Sequence, residues 1–241
     1  MSTTERPVAV LVHGAFAESA SWNRVIERLR ERGMDAVAAG NPLRTVPGDG
    51  AYVRDVVTAI GRPVVLVGHS YGGMVITEAA AGLPAVRALV YVAAFTPEPG
   101  ETAFQLSGKF PGSTLGDALT AYPLTGGGNE LRITGERFHH QFCADVDAGE
   151  AALMAATQRP VTERALTEGI TVAEPAWRGT PSRFVFGDRD FNIPAELLRF
   201  MAERAGSRGT REIAGASHAI AVSRPDAVAD TILEAAGDVK D

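Results

Sequence analysis

The stretch Gly68-His69-Ser70-Tyr71-Gly72 places a serine with a glycine two residues away on either side. A serine hydroxyl is a weak nucleophile until its oxygen is exposed and a base takes its proton. G-x-S-x-G spacing meets the first need when a strand runs into it and a helix runs out. The small residues let strand and helix approach, and the serine adopts a strained backbone at the sharp turn. Both flanks are present. Pro63-Val64-Val65-Leu66-Val67 reads as a buried strand, and Val75-Ile76-Thr77-Glu78-Ala79-Ala80-Ala81 reads as a helix. Ser70 is therefore the candidate nucleophile.

Such a serine needs a base, and the base needs an orienting acid; on a strand–turn–helix scaffold both follow the serine in the chain. The five histidines are 13, 69, 139, 140 and 218. His13 and His69 come too early, and the adjacent His139 and His140 cannot both aim at one site. His218 lies in Gly215-Ala216-Ser217-His218-Ala219, after a short apolar run and before the last helical pattern. Its loop belongs at the same sheet edge as Ser70. One strand earlier, Phe184-Val185-Phe186 runs into Gly187-Asp188-Arg189-Asp190. Asp190 is preferred as the partner of His218, with Asp188 as a turn cap. An oxyanion needs two N–H donors. Tyr71 supplies one, and Ala15, in the loop Val12-His13-Gly14-Ala15-Phe16, supplies the other. Phe16 is expected to wall the site and His13 to hydrogen-bond beneath the loop.

The elements that must position these groups alternate. Val8 to Val12 reads as a strand. Residues 20–32 form a helical pattern with Trp22, Val25, Ile26 and Leu29 on one face, and Gly33 stops it. Ala36 to Ala39 is a second strand. Residues 50–60 are a helix with Tyr52, Val53, Val56, Val57 and Ile60 on one face, and 86–94 is a further strand. Continuous apolar strands separated by helices predict an α/β fold: a mostly parallel sheet of about six strands, covered on both faces. The rhythm stops at Thr96-Pro97 and returns at Arg183. Residues 1–96 and 181–241 are therefore read as the core, and 97–180 as a helical cap inserted over it. The cap holds Phe104, Phe110, Phe138, Phe142 and Trp177. Phe104, Phe138, Phe142 and Trp177 are expected to join Phe16 around the substrate.

Composition narrows the function. The 241 residues are 45 % apolar and 22 % charged, with a net charge of −6. This is the balance of a folded globular chain, without the basic patch that nucleic acid or an anionic membrane requires. No apolar run approaches the ~18 residues of a membrane span, and the N-terminus has no basic and apolar leader pattern. The single cysteine, Cys143, cannot form an intramolecular disulfide, which fits a reducing, cytoplasmic setting. It is not read as a catalytic thiol. No histidine or cysteine spacing suggests a metal, and no cofactor is expected. The expected partner is a small-molecule substrate, and the chain is read as a monomer or homodimer.

With these residues assembled, the chain resembles the α/β-hydrolase superfamily over nearly its whole length. HGAF at 13–16, GHSYGG at 68–73, GDRD at 187–190 and GASH at 215–218 occur in that superfamily's order. HGAFAESASWNRVIERL, GHSYGGMVITEAA and VYVAAFTPEPGE are most similar to its group of plant methylesterases, hydroxynitrile lyases and related bacterial esterases. The resemblance implies a catalytic triad of Ser70, Asp190 and His218, oxyanion donors at Ala15 and Tyr71, and hydrolysis of a carboxylic ester. It leaves a lyase, acyltransferase or perhydrolase reaction on the same triad, or a non-catalytic binder, as alternatives. The lyase branch carries a lysine directly after the catalytic histidine, where this chain has Ala219. Ser70 sets aside the members with an aspartate nucleophile.

Overall fold

Five consecutive apolar residues, Val8–Val12 (β1), are all buried, as a strand covered on both faces requires. The computed structural model describes residues 6–238. The expectation that residues 1–5 begin no leader lies outside the described residues.

After β1 a 3-10 turn, Ser19–Trp22, leads into α1 (Asn23–Glu31). Trp22, Val25 and Leu29 are fully buried there, each aliphatic one stabilising the fold by roughly 1.5–3 kcal/mol. Then come β2 (Ala36–Ala39), α2 (Val46–Ile60), β3 (Val64–His69), α3 (Gly72–Ala80) and β4 (Val86–Val92). The segment between β4 and the next core strand carries α4 (Ala103–Ser107), α5 (Leu115–Ala118), β5 (Leu119–Pro123), β6 (Asn129–Ile133), α6 (Gly135–Phe142), α7 (Ala148–Thr157), β7 (Val161–Thr162) and α8 (Glu163–Thr167). The core resumes with β8 (Ser182–Gly187), α9 (Ala195–Arg204), β9 (Thr210–Ile213), α10 (Ile220–Ser223) and α11 (Pro225–Gly237).

The six core strands form one sheet in the order β2-β1-β3-β4-β8-β9. All its pairs are parallel. The chain leaves β1 toward one edge, to β2, and β3 then lies on the other side of β1. The connections after β1 and β3 therefore diverge, which opens a crevice at the carboxyl ends of these two strands. The loop carrying Ala15 and the turn carrying Ser70 flank that crevice.

Two expectations need correction. The helix expected at 50–60 begins at Val46: Thr45 caps it by accepting the Gly48 N–H at 3.1 Å, and Pro47 sits in its first turn, where no N–H is missed. Its buried stripe is Val46, Asp49, Val53 and Val57, whereas Tyr52 is exposed. The insertion is also not purely helical. Strands β5, β6 and β7 form a three-stranded antiparallel sheet. The glycines at 126–128 turn the β5–β6 hairpin, with Gly127 and Gly128 at φ 91° and 79°. Every residue of β5 after Leu119 is exposed, so the strand carries no apolar run by which it could be read. Among the described residues no helix is long and apolar enough to cross a membrane.

Candidate active site

Ser70 occupies the turn between β3 and α3. Its φ of 56° is left-handed, a strain of about 1–3 kcal/mol in a residue with a side chain. The surrounding backbone holds it there. The Ser70 N–H donates to the Val92 carbonyl at 3.2 Å, and its own carbonyl accepts from Gly73 at 2.9 Å and Phe95 at 3.2 Å. The two motif glycines protect different approaches. A Cβ on Gly68 would lie 2.6 Å from the Gly72 carbonyl oxygen, and one on Gly72 would lie 2.5 Å from that of Val12. The first spacing lets β3 meet α3, and the second lets α3 sit against the end of β1.

Asp190 and His218 come together at the ends of β8 and β9. His218 Nδ1 lies 2.6 Å from Asp190 Oδ2. Asp190 Oδ1 accepts the N–H groups of Asn192 at 2.8 Å and Ile193 at 2.9 Å. An ionised carboxylate only accepts, so Nδ1 carries the proton and Nε2 presents a lone pair. Nε2 is buried and has no hydrogen-bond partner among the described residues, the Ser70 hydroxyl included. Asp188 is exposed and accepts the Gly215 N–H at 2.6 Å, so it braces the turn before His218. The loop of His218 is also held by the insertion: the Ala219 N–H donates to the Phe142 carbonyl at 3.0 Å, and the Ser217 hydroxyl donates to Asp145.

Two further histidines lie behind the site, both neutral. His69 donates from Nε2 to the His218 carbonyl at 3.0 Å. Burial, with His218 adding to it, holds its pKa well below the ordinary histidine value. His13 donates from Nδ1 to the Gly14 carbonyl at 2.9 Å. Burial lowers its pKa to about 4, with the Gly14 hydrogen bond opposing. His139 and His140 lie away from this group: His139 bonds the Val146 carbonyl, and His140 stacks on Phe191. Burial pushes the Cys143 thiol up to about 12, which leaves it inert as a nucleophile.

In the loop after β1, Asn41 donates to the His13 carbonyl at 2.9 Å. Phe16 has φ 62°, and its N–H is taken by the Arg159 carbonyl at 3.1 Å. No hydrogen bond occupies the N–H of Ala15 or Tyr71 among the described residues. The Tyr71 hydroxyl donates to Asp49 at 2.9 Å. Burial raises the Asp49 carboxyl above the ordinary aspartate value, against the Arg44 N–H and the Tyr71 hydroxyl.

A cavity of ≈ 310 Å³ opens over Ser70, Tyr71, Ala15 and Phe16. Phe95 and Ile193 close it from the core, and Ala103, Phe104, Leu115, Leu119 and Leu166 close it from the insertion. Among the described residues its lining contains no Asp, Glu, Lys, Arg or His. Of the five aromatic residues expected there, Phe16 and Phe104 line it, with Phe104 71 % exposed. Phe138, Phe142 and Trp177 do not. Phe138 stacks on Phe142 at 5.1 Å within the buried side of α6, and Phe142 meets His218 edge-on. The Trp177 indole donates to the Pro97 carbonyl at 2.9 Å, near Arg178 and Arg204. Phe142 and Trp177 thus meet His218 and Arg204, outside residues 97–180, and Phe138 backs Phe142. Sequence reading missed the aliphatic walls, which carry no local signature. It also missed Asp49, although its spacing from Val53 and Val57 places an acid on a buried stripe. No group of three or more His, Cys, Asp or Glu side chains suited to a metal occurs among the described residues.

Comparison with known proteins agrees with this architecture. Residues 9–231 match the family described as the Alpha/beta hydrolase family. The chain is 25 % identical over 251 residues to an alpha-hydroxynitrile lyase of Arabidopsis thaliana, covering 95 % of this chain and 96 % of that one. It is 24 % identical over 262 residues to Esterase PIR7B of Oryza sativa subsp. japonica, covering 98 % of each. The crystal structure of polyneuridine aldehyde esterase superposes with a TM-score of 0.81 at 20 % identity, over 95 % of this chain and 99 % of that one.

Proposed function

The chain belongs to the alpha/beta hydrolase family, and from that membership we propose that it is a serine hydrolase of carboxylic esters. The observation that carries the reading is the Asp190–His218 pair at 2.6 Å, whose outer nitrogen has no partner among the described residues and whose ring lies 4.7 Å from that of His69, the residue before the strained Ser70. Catalytic hydrogen bonds are often open until substrate arrives.

In this mechanism Ser70 Oγ attacks the ester carbonyl carbon while His218 Nε2 takes its proton. Asp190 holds the tautomer and stabilises the imidazolium. The carbonyl oxygen, now an oxyanion, is received by the N–H groups of Ala15 and Tyr71. The imidazolium then protonates the departing alcohol as the tetrahedral intermediate collapses to an acyl-enzyme. Water, activated by the same nitrogen, releases the acid and restores Ser70. Phe16 and Phe104 contact the substrate, and residues 97–180 act as its cap. A cavity without charged side chains favours an uncharged, partly hydrophobic ester, because a buried unpaired charge is costly. Ala219 beside His218 offers no charge for lyase chemistry. The buried Cys143 thiol is compatible with a reducing, cytoplasmic setting.

A panel of esters varied in acyl and alcohol size, assayed beside Ser70→Ala, tests the proposal. Hydrolysis abolished in Ser70→Ala supports it. Turnover persisting in the variant, or cyanide release from a cyanohydrin without ester hydrolysis, would contradict it.

A further inference from the structure

The buried stripe of α2 holds one acidic residue, and its partner is the neighbour of Ser70. Asp49 is fully buried. Its Oδ2 accepts the Tyr71 hydroxyl at 2.9 Å, and both oxygens accept the Arg44 N–H at 3.1 Å. Arg44 in turn joins the core to the antiparallel sheet of the insertion. Its carbonyl accepts from Thr162 Oγ1 at 2.6 Å, and the carbonyl of Leu43 accepts the Thr162 N–H at 3.1 Å. Its guanidinium pairs with Glu130 on β6, which also receives the Tyr122 hydroxyl from β5. Leu43 is held at φ 61°, a left-handed conformation that a leucine adopts only where its surroundings impose it. An unbroken series of hydrogen bonds thus runs from β5–β7 through Arg44 and Asp49 to the Tyr71 ring.

This arrangement is demanding for a packing residue. An apolar side chain at position 71 could wall the cavity without a buried carboxylate behind it, and a buried carboxylate is tolerated only when its oxygens are hydrogen-bonded. What the tyrosine adds is a fixed orientation. Its ring is tied at the far end, and its backbone N–H is one bond from the Ser70 carbonyl carbon. Oxyanion donors act through placement, and small misalignment lowers their effect.

We propose that Asp49 and Arg44 are positioning residues for the oxyanion hole: they lock Tyr71 from behind and make that lock depend on the docked sheet of the insertion. The inference rests on the proposed ester hydrolysis at Ser70, with the Tyr71 N–H as a donor. Neither residue touches substrate. Their removal should therefore change kcat and leave KM nearly alone.

The test uses Tyr71→Phe, Asp49→Asn, Arg44→Met and the double variant Tyr71→Phe/Arg44→Met. Each is titrated with a fluorophosphonate so that rates refer to active enzyme, and kcat and KM are measured on one ester. Tyr71→Phe should lower kcat about five- to tenfold, a fraction of the ~10²–10³ that a whole donor contributes, with KM within about twofold. Asp49→Asn retains an accepting oxygen and should fall between Tyr71→Phe and wild type. Arg44→Met keeps the main-chain N–H that Asp49 accepts and removes only the guanidinium pair with Glu130. By loosening the tie to the insertion it should lower kcat about two- to threefold in the wild type and add nothing in the Tyr71→Phe background, where the ring is no longer held. Unchanged kcat in titrated Tyr71→Phe, or an Arg44→Met effect of equal size in both backgrounds, overturns the proposal. Should Tyr71→Phe fail to fold, Asp49→Asn and Arg44→Met decide: unchanged kcat in the first overturns the lock on Tyr71, and unchanged kcat in the second overturns its dependence on the docked sheet. Wild-type protein that neither reacts with the fluorophosphonate nor hydrolyses esters would instead overturn the reading of Ser70 and take this inference with it.

Discussion

Acid should destabilise this fold through a histidine that takes no part in the proposed chemistry. His13 is 1 % exposed, with Nδ1–H on the Gly14 carbonyl and Nε2 buried without a partner among the described residues. Burial holds its pKa at about 4, against the ordinary 6.5 that applies once the chain unfolds. Between these values the unfolded chain binds a proton that the folded state refuses. Stability is therefore full above the unfolded value and falls as pH drops toward the folded one. The whole interval is worth about 3 kcal/mol, and about 2 kcal/mol of it is already lost at about pH 5 relative to about pH 8. For a protein of this size that loss corresponds to about 4–8 °C in Tm. His69, lowered by burial and by His218, adds with the same sign. Asp49, raised by burial, acts with the opposite sign. His13→Gln removes the first contribution, with the smallest part of the His69 shift, which His13 supplies, and leaves that of Asp49. Urea unfolding of both proteins at the two pH values isolates it: the wild type should lose about 2 kcal/mol more than the variant. Equal losses would refute the reasoning, because His13 would then take its proton without unfolding.

Two further outcomes follow from the geometry of the site. Asp190→Asn, which disturbs the His218 tautomer while keeping the shape, should lower kcat by about 10⁴, whereas Asp188→Asn removes only an exposed turn brace and should stay within about tenfold; comparable losses in steady-state assays would mean the acid has been misassigned. Phe104→Ala at the cavity wall should raise KM for apolar esters several-fold with little change in kcat, and an unchanged KM across the ester panel would remove Phe104 from the substrate path.

The parts of this protein that could be read from its sequence are those where a local pattern carries the whole signal. The strand before Ser70, the helix after it and the glycines between them are contiguous, and the structure shows each glycine pressed against a carbonyl. Asp190 differs from Asp188 in the sequence by standing four residues ahead of Pro194, the residue before α9. The cavity was harder. Its walls come from Phe95, Leu119, Leu166 and Ile193, which are distant in sequence and look like ordinary core residues. Aromatic residues were weak guides, since Phe138 and Phe142 fill the underside of α6 and Trp177 fastens to Pro97. The small antiparallel sheet stayed hidden because β5 is largely exposed and shows no apolar alternation. Asp49 was hidden by Pro47 and Gly48, which made the first turn of α2 look like a loop.

The central claim is that Ser70 is the nucleophile of this fold. Intact-mass and peptide mass spectrometry after brief exposure to a fluorophosphonate tests it most directly. The account predicts one adduct per chain, on the peptide containing Ser70, absent in Ser70→Ala and strongly slowed in His218→Ala. An adduct on any other residue, or equal labelling of wild type and Ser70→Ala, would contradict it.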